Sequence, residues 1–413
     1  MSITEHSIKV LLIEDNAGDA RLLREMLREA AGASVTGAPF DLERADCLAA
    51  GLNRLAAGGI DLVLLDLSLP DSHGFDTFNR TRAQAPEVPL IVMSGLDDES
   101  LAIKTVQAGA QDYLVKSHVD PHLLVRAMLY AIERKRTETQ LALYTEELRR
   151  KNTQMEADLH MASEMQKSLQ PQQYPSFPGT APPSESALRF CHRYHATAGV
   201  GGDFCQVLPL SDTQAGVFIC DVMGHGVRAA LVTAMVRALV EELKSLGSEP
   251  DKFLTEINRG LISILKPTRT SMFVSAFYLV ADTSNGQVRY ANAGHPHPLH
   301  VRRHAATVAT LQPPHCPPGP ALGVFEESEY CAHAATLAAD DLLLLFTDGL
   351  CEVMGTDGQY YDEDQMLDAV RHRMDSPMAQ LFDDLLNEIQ EFSTEREFED
   401  DVCLLGMEVA RIG

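Results

Sequence analysis

The sequence predicts an α/β chain of two folded units, a doubly wound parallel sheet followed by a mixed α+β unit, with a long helix between them. Three observations carry this. Over residues 1–125 short apolar runs alternate with amphipathic stretches, the pattern of strands covered by helices on both faces. Residues 126–170 contain neither Gly nor Pro and are dominated by charge. Residues 185–413 mix strand-like and helical runs without an internal repeat, and 413 residues in all suit two or three units of about 150 each.

In the first unit, Lys9–Ile13 (KVLLI), Ile60–Leu67 (IDLVLLDL), Leu90–Met93 (LIVM) and Asp112–Val115 (DYLV) are the strands, with a helix over Asp19–Ala30 after the first. Polar groups stand at the carboxyl end of each run: Glu14 and Asp15, Asp66, Ser94, and Lys116. In an open parallel sheet that edge is where ligands bind. The stretch from 126 to 169 carries 8 basic and 7 acidic residues. Ala127, Leu141, Leu148, Met155, Ala162 and Leu169 share a seven-residue register broken at Arg134, and Tyr130, Tyr144, Leu159 and Met165 add part of a second stripe. This predicts a coiled-coil seam and a homodimer through the linker helix; the alternative is a solvated connecting helix packed on its own domain. A proline-rich loop, 171–184, ends the helix. Beyond it, Gly216–Asp221, Met272–Val280, Gln287–Ala293 and Leu342–Phe346 read as buried strands, and Ala229–Leu246 and Ala379–Phe392 as helices.

Composition narrows the function. Apolar residues make up 45% and charged residues 23%, and 34 basic against 59 acidic residues leave a formal charge of −25. Such a chain repels nucleic acid and anionic lipid. No apolar run approaches the length of a membrane span, and Met1–His6 does not open a signal peptide. Eight cysteines without a CxxC pair argue against a zinc cluster or a disulfide framework and for a reducing cytoplasm.

Glu14, Asp15 and Asp66 at strand ends would converge on a hard divalent cation, while one carboxylate attacks a phosphoryl donor. Lys116 would pair with the new phosphoryl oxygens and Ser94 would donate a hydrogen bond to them. The segments IEDN, LLDLSLPDSHG, VMSG and YLVK, over residues 7 to about 125, resemble the receiver domain of two-component response regulators. The resemblance implies a flavodoxin-like fold in which Asp66 is the phosphoacceptor. It also implies that Glu14, Asp15, Asp66 and the carbonyl of Ser68 hold Mg2+. Ser94 becomes the switch hydroxyl, Tyr113 the aromatic that rotates inward, and Lys116 the phosphoryl-pairing lysine, with a sensor histidine kinase as partner.

A second set of carboxylates is spread over 200 residues: Asp203, Asp221, Asp348 and the Asp400–Asp401 pair, each beside a Gly or just after a strand-like run. Oxygen ligands without His or Cys suit magnesium or manganese rather than zinc, and a two-metal carboxylate site can activate water for attack on phosphorus. Gly201-Gly202-Asp203-Phe204 superficially matches the cyclic di-GMP cyclase motif, but no Glu separates Asp203 from Phe204, so the acidic pair that chemistry needs is missing. Together with GHGVRAAL, NAGHPHPL and DDVCLL, these segments resemble the metal-dependent PPM (type-2C) serine/threonine phosphatases of the SpoIIE/RsbU type, from about 187 to 410. LHMASEMQKSLQP in the linker resembles the segment that precedes the domain in that branch.

That resemblance implies a β-sandwich flanked by helices over 185–413. Asp221 would bridge two Mn2+ or Mg2+ ions, with the carbonyl of Val222 on one of them. Asp348 and Asp400 would complete the second site, and Asp203 would act mainly through metal-bound water. Cys205, Gln206 and Cys403 depart from the branch's pattern; Gln206 removes a charge that could strengthen metal binding. His225, His295 and His297 read as turn and loop residues, and His300–His304 as a solvated basic face. The whole then reads as a response regulator whose phosphorylation at Asp66 controls a protein phosphatase. Its substrate would be a phosphorylated anti-sigma-factor antagonist of the STAS type. The competing reading is a phosphatase-fold module that sequesters such a partner without hydrolysis.

Overall fold

A computed structural model describes residues 7–33, 39–95, 99–171, 173–197, 199–268, 272–313, 317–355, 358–394 and 398–413. Met1–His6 and Cys316, which entered the reading of the sequence, lie outside the described residues, as does the side chain of Leu169. Contacts divide the chain into two units, 1–153 and 154–413.

The first unit alternates β1 (Ile8–Ile13), α1 (Ala17–Ala33), β2 (Phe40–Ala45), α2 (Leu48–Ala56), β3 (Leu62–Asp66), α3 (Gly74–Gln84), β4 (Leu90–Ser94), α4 (Glu99–Gln107) and β5 (Asp112–Val115). The sheet is parallel, in the order β2-β1-β3-β4-β5. Its runs are apolar throughout because both faces are buried. Val10, Leu12, Leu64 and Met93 pack with α1 and with Leu124, Val125 and Met128 of the helix that follows β5, while Leu11, Ile13, Leu65 and Val92 pack with α2 and α3. The strand β2 adds to the four expected from the sequence. Its segment FDLERA is an edge strand with half-exposed charged residues, so no apolar run announces it.

Helix α5 runs unbroken from Pro121 to Leu169, about 70 Å at 1.5 Å per residue. It therefore starts before residue 126, because Leu124, Val125, Ala127, Met128 and Ala131 close the core of the first unit. Beyond them the seam stands open: Leu141, Leu148 and Met155 are 66%, 61% and 62% exposed, and Tyr130, Tyr144 and Met165 are similarly bare.

The second unit stacks two antiparallel sheets. One has the order β13-β10-β9-β8-β7, from β7 (Phe204–Pro209), β8 (Gln214–Val222), β9 (Val274–Asp282), β10 (Gln287–Ala293) and β13 (His333–Thr336). The other has the order β12-β11-β14-β15-β6, from β6 (Leu188–His195), β11 (Leu299–Arg302), β12 (Thr307–Thr310), β14 (Leu342–Phe346) and β15 (Val402–Val409). Strand periodicity sorts the side chains into three cores. Val217, Ile219, Phe277 and Leu279 meet Leu343, Leu345, Leu405 and Met407 between the sheets. On the first sheet's outer face, Phe218 and Tyr278 pack under α6 (Val227–Glu242) and α7 (Pro250–Leu265). On the second, Leu342, Leu344 and Phe346 pack under α8 (Glu363–His372) and α9 (Met378–Phe392). The sandwich expected from the sequence is the one observed.

Candidate functional site

In the first unit, the loop after β1 places Glu14 and Asp15 beside Asp66, the last residue of β3. One carboxylate oxygen from each lies within 4.8 Å of the other two. Glu14 and Asp66 are buried and Asp15 faces solvent. The guanidinium of Arg44, on β2, fixes the loop by donating to the carbonyls of Glu14 (3.0 Å) and Asp15 (2.7 Å). Lys116, just past β5, donates to Glu14, to Asp66 and, at 2.9 Å, to Asp19. Burial of Glu14 pushes its carboxyl above the ordinary range, against the pull of Lys116. Burial also works against the charge on Lys116, but its bonds to Asp66, Glu14 and Asp19 prevail and hold its pKa above the usual lysine value. The backbone N–H of Ser68 donates to Asp66 (2.8 Å). Ser94 is buried at the end of β4, one step beyond Met93, which pairs with Asp66; half-buried Tyr113 lies on neighbouring β5. The sheet edge thus collects Glu14, Asp15, Asp66, Ser68, Ser94 and Lys116, while Tyr113 stands further back on β5, opposite Val92. Asp19 and Arg44 join them without a signal in the sequence, since each is an ordinary charge on a helix or an edge strand.

In the second unit, antiparallel pairing does the collecting. Cys220 near the end of β8 pairs with Phe204 at the start of β7, so Asp221 and Asp203 come to the same edge. Phe346 at the end of β14 pairs with Leu404 near the start of β15, which brings Asp348 and Asp400 to one edge of the other sheet. A bond between the sheets joins the two edges: the hydroxyl of Thr347 donates to Asp203 Oδ2 at 2.6 Å and accepts from the N–H of Cys403 at 2.9 Å.

The electrostatics follow from the crowding. Burial first, then the charge on Asp221, holds the Asp203 carboxyl far above the usual range. Burial, with Asp348 and Asp400 next, pushes Asp221 up to about 7. Asp348 is raised by burial and then by Asp400. Asp203 is 1% exposed, and its Oδ1 has no hydrogen-bond partner. A buried carboxylate with an orphaned oxygen beside three half-buried ones, with no basic partner among the described residues, fits divalent cations held through oxygen. Among the described residues, no three of these carboxylates meet the 4.8 Å spacing of the first-unit triad.

Glycines make the close approaches. A Cβ at Gly202 would stand 2.7 Å from the carbonyl of Val222, and one at Gly201 would stand 2.5 Å from Asp401 Oδ2. Gly224 and Gly226 both take φ of 81°, turning the chain around His225 into α6. Asp401 departs from a metal-ligand role: its carboxylate accepts from Thr197 N (2.9 Å), Thr197 Oγ1 (3.0 Å) and Gly202 N (2.7 Å). Gln206 bonds Glu241 on α6, and Cys403 is buried between the sheets. His225 is exposed in the turn. His295 is buried in the loop after β10, where Ser275 Oγ lies 2.8 Å from its Nδ1 and burial lowers its pKa to about 3. The basic face expected at His300–His304 is corrected in part: His300 is 2% exposed and bonds Asp341 at 2.8 Å, because its side chain points inward from β11.

Residues 10–129 match the family described as response regulator receiver domain, and residues 211–410 match the family described as Stage II sporulation protein E (SpoIIE). The chain joins an N-terminal response regulator receiver domain to a C-terminal SpoIIE-type domain. The phosphoserine phosphatase RsbP of Bacillus subtilis is 29% identical over 217 residues, 52% of this chain and 51% of RsbP. The phosphoserine phosphatase RsbU of the same organism is 24% identical over 249 residues, 59% of this chain and 69% of RsbU. The alignment thus spans about half the length of RsbP. The SiaA-PP2C domain of Pseudomonas aeruginosa is similar in fold, with a TM-score of 0.53 at 21% identity over 62% of this chain and 98% of that one. A receiver domain implies a kinase partner. No helix among the described residues is long and apolar enough to cross a membrane.

Proposed function

We propose that the chain is a response regulator whose output is metal-dependent dephosphorylation of phosphoserine or phosphothreonine on a partner protein. The observation that carries it is the convergence of Asp203, Asp221, Asp348 and Asp400 on one end of the sandwich, where burial and then the neighbouring carboxylates (Asp221 for Asp203, Asp348 and Asp400 for Asp221) drive both above the carboxylate range. Asp221, the carbonyl of Val222, Asp348 and Asp400 would hold two Mn2+ or Mg2+ ions, with Asp203 beside them. When bound, these ions supply Lewis-acid activation of water and charge neutralisation at the phosphoryl group. The protein's own part is placement. Thr347 and Asp401 fix the loops that bear Asp203 and Asp348, glycines at 201 and 202 let that loop pack against Asp401 and Val222, and those at 224 and 226 turn the chain into α6.

In the receiver, Asp66 takes the phosphoryl group from a sensor histidine kinase: its oxygen forms the new P–O bond as the P–N bond of phosphohistidine breaks. Glu14, Asp15, Asp66 and the Ser68 carbonyl hold Mg2+ there, while Lys116 and Ser94 receive the phosphoryl oxygens. Phosphorylation adds about −1.5 to −2 charge to a pocket already crowded with carboxylates. Ser94 and Tyr113 shift with it, and α5 carries the change along its length. The bare seam at Leu141, Leu148 and Met155 supports a homodimer through that helix. Seven described cysteines are free thiols, which supports a cytoplasmic setting. By resemblance the substrate is an anti-sigma-factor antagonist of the STAS type. The test is phosphate release from such a phosphoprotein with manganese. Turnover lost in Asp221→Ala supports the enzyme, and partner binding without turnover in the unaltered chain would support the sequestering module instead.

A further inference from the structure

The loop that carries Asp203 into the site is held by side chains. Among the described residues, no backbone–backbone hydrogen bond reaches Gly199–Gly202, and strand pairing of β7 begins only at Phe204. Such a segment takes its position from whatever satisfies its peptide groups. Two of these holders are glutamines four residues apart, Gln166 in the last turn of α5 and Gln170 one residue past its end, each 6% exposed. The Gln166 amide grips Gly201 from both sides: Gly201 N–H donates to Oε1 at 2.9 Å, and Nε2 donates to the Gly201 carbonyl. Gln170 Nε2 donates to the carbonyl of Asp203 itself at 3.4 Å. The remaining holders, Asp401 on Gly202 N–H and Thr233 on the Gly202 carbonyl (2.8 Å), belong to the phosphatase domain proper.

We propose that Gln166, assisted by Gln170, is a positioning residue for the phosphatase site: the end of the linker helix sets the Gly201–Asp203 loop and thereby the affinity of the carboxylate cluster for its cations. Neither residue touches the reacting atoms. The two-point grip requires an amide, since a carboxylate accepts from Gly201 N–H but cannot donate to its carbonyl, and an apolar side chain does neither. Gln166 sits in the last turn of α5 and Gln170 follows it, its N–H bonded to the Lys167 carbonyl, so unwinding that turn displaces both and metal affinity depends on the turn being formed. Outer groups that orient metal-binding loops typically matter by about ten- to a hundredfold in affinity.

This rests on the proposed metal-dependent reading, and the test separates the two. Amide hydrogen exchange of the metal-free full chain is compared between the unaltered protein, Gln166→Met and Gln166→Glu, with Val288–Ala291 on β10 as the fold control. Manganese binding is measured by calorimetry on the same samples. The expected result is loss of Gly201 protection in Gln166→Met, its retention in Gln166→Glu, unchanged exchange on β10, and about tenfold weaker manganese binding by Gln166→Met. Unchanged Gly201 exchange and unchanged manganese affinity in Gln166→Met overturn the proposal. If that variant also loses protection on β10, manganese affinity is read in Gln170→Met, where an unaltered value overturns it equally. An unaltered chain that binds no manganese, with Gly201 exchange still responding to Gln166→Met, contradicts the metal reading while the grip on the loop stands.

Discussion

Asp221 and Asp203 sit in a place where ionised carboxylates are penalised unless cations are bound. In the metal-free chain Asp221 has its pKa raised from 3.8 to about 7 by burial and by Asp348 and Asp400. Between those values the folded state binds more protons than the unfolded one, so metal-free stability falls as pH rises. Asp221→Asn removes that penalty. It is expected to raise the metal-free melting temperature at pH 7.5 by a few degrees, flatten its decline between pH 4 and 7, and abolish stabilisation by manganese; a thermal melt with and without the ion reads all three. Thr347 is the complementary case. Its hydroxyl is the link between Asp203 and Cys403 N–H, and Thr347→Val leaves that buried N–H unpaired. A loss of about 1–3 kcal/mol in chemical denaturation is expected, together with weaker manganese binding. The acidic ligand candidates were legible because Asp beside Gly after an apolar run is a visible pattern. Thr347, Gln166 and the anchoring use of Asp401 were not, because hydrogen bonds between residues 35 to 200 positions apart leave no local trace.

At the scale of elements, strands buried on both faces announce themselves: Leu342–Phe346 and Gln287–Ala293 have the bounds expected of them. Edge strands such as Phe40–Ala45 and the half-exposed Leu188–His195 do not, since their alternating side chains resemble loop sequence. Helix α5 is legible in its continuity and in its heptad, yet the heptad alone does not say what covers it. Leu141 and Leu148 are exposed on the single chain, and burying such residues in a paired helix stabilises by about 1.5–3 kcal/mol each. Leu141→Glu with Leu148→Glu is therefore expected to shift sedimentation of the full chain from dimer to monomer while leaving both folded units intact by circular dichroism. A dimer that persists in the double variant would place the interface elsewhere.

At the scale of the molecule, one chain holds two carboxylate clusters suited to the same hard-oxygen chemistry, for which we propose different tasks. The receiver triad is compact, balanced by Lys116, and suited to a single cation and a covalent phosphoryl group. The carboxylates of the second unit are more spread, have no lysine among the described residues paired with them, and suit the proposed hydrolysis without a covalent intermediate. Helix α5 belongs to the core of the first unit at its start and bonds the Asp203 loop of the second at its end. Control of one site by the other is the central claim. The measurement that tests it most directly is manganese-dependent phosphate release from a phosphoserine protein substrate by the full chain, with and without beryllofluoride and magnesium, and in Asp66→Asn. The account predicts turnover that beryllofluoride changes severalfold in the unaltered chain and leaves unchanged in Asp66→Asn. Equal rates with and without beryllofluoride in the unaltered chain, its receiver shown to be loaded, would contradict it.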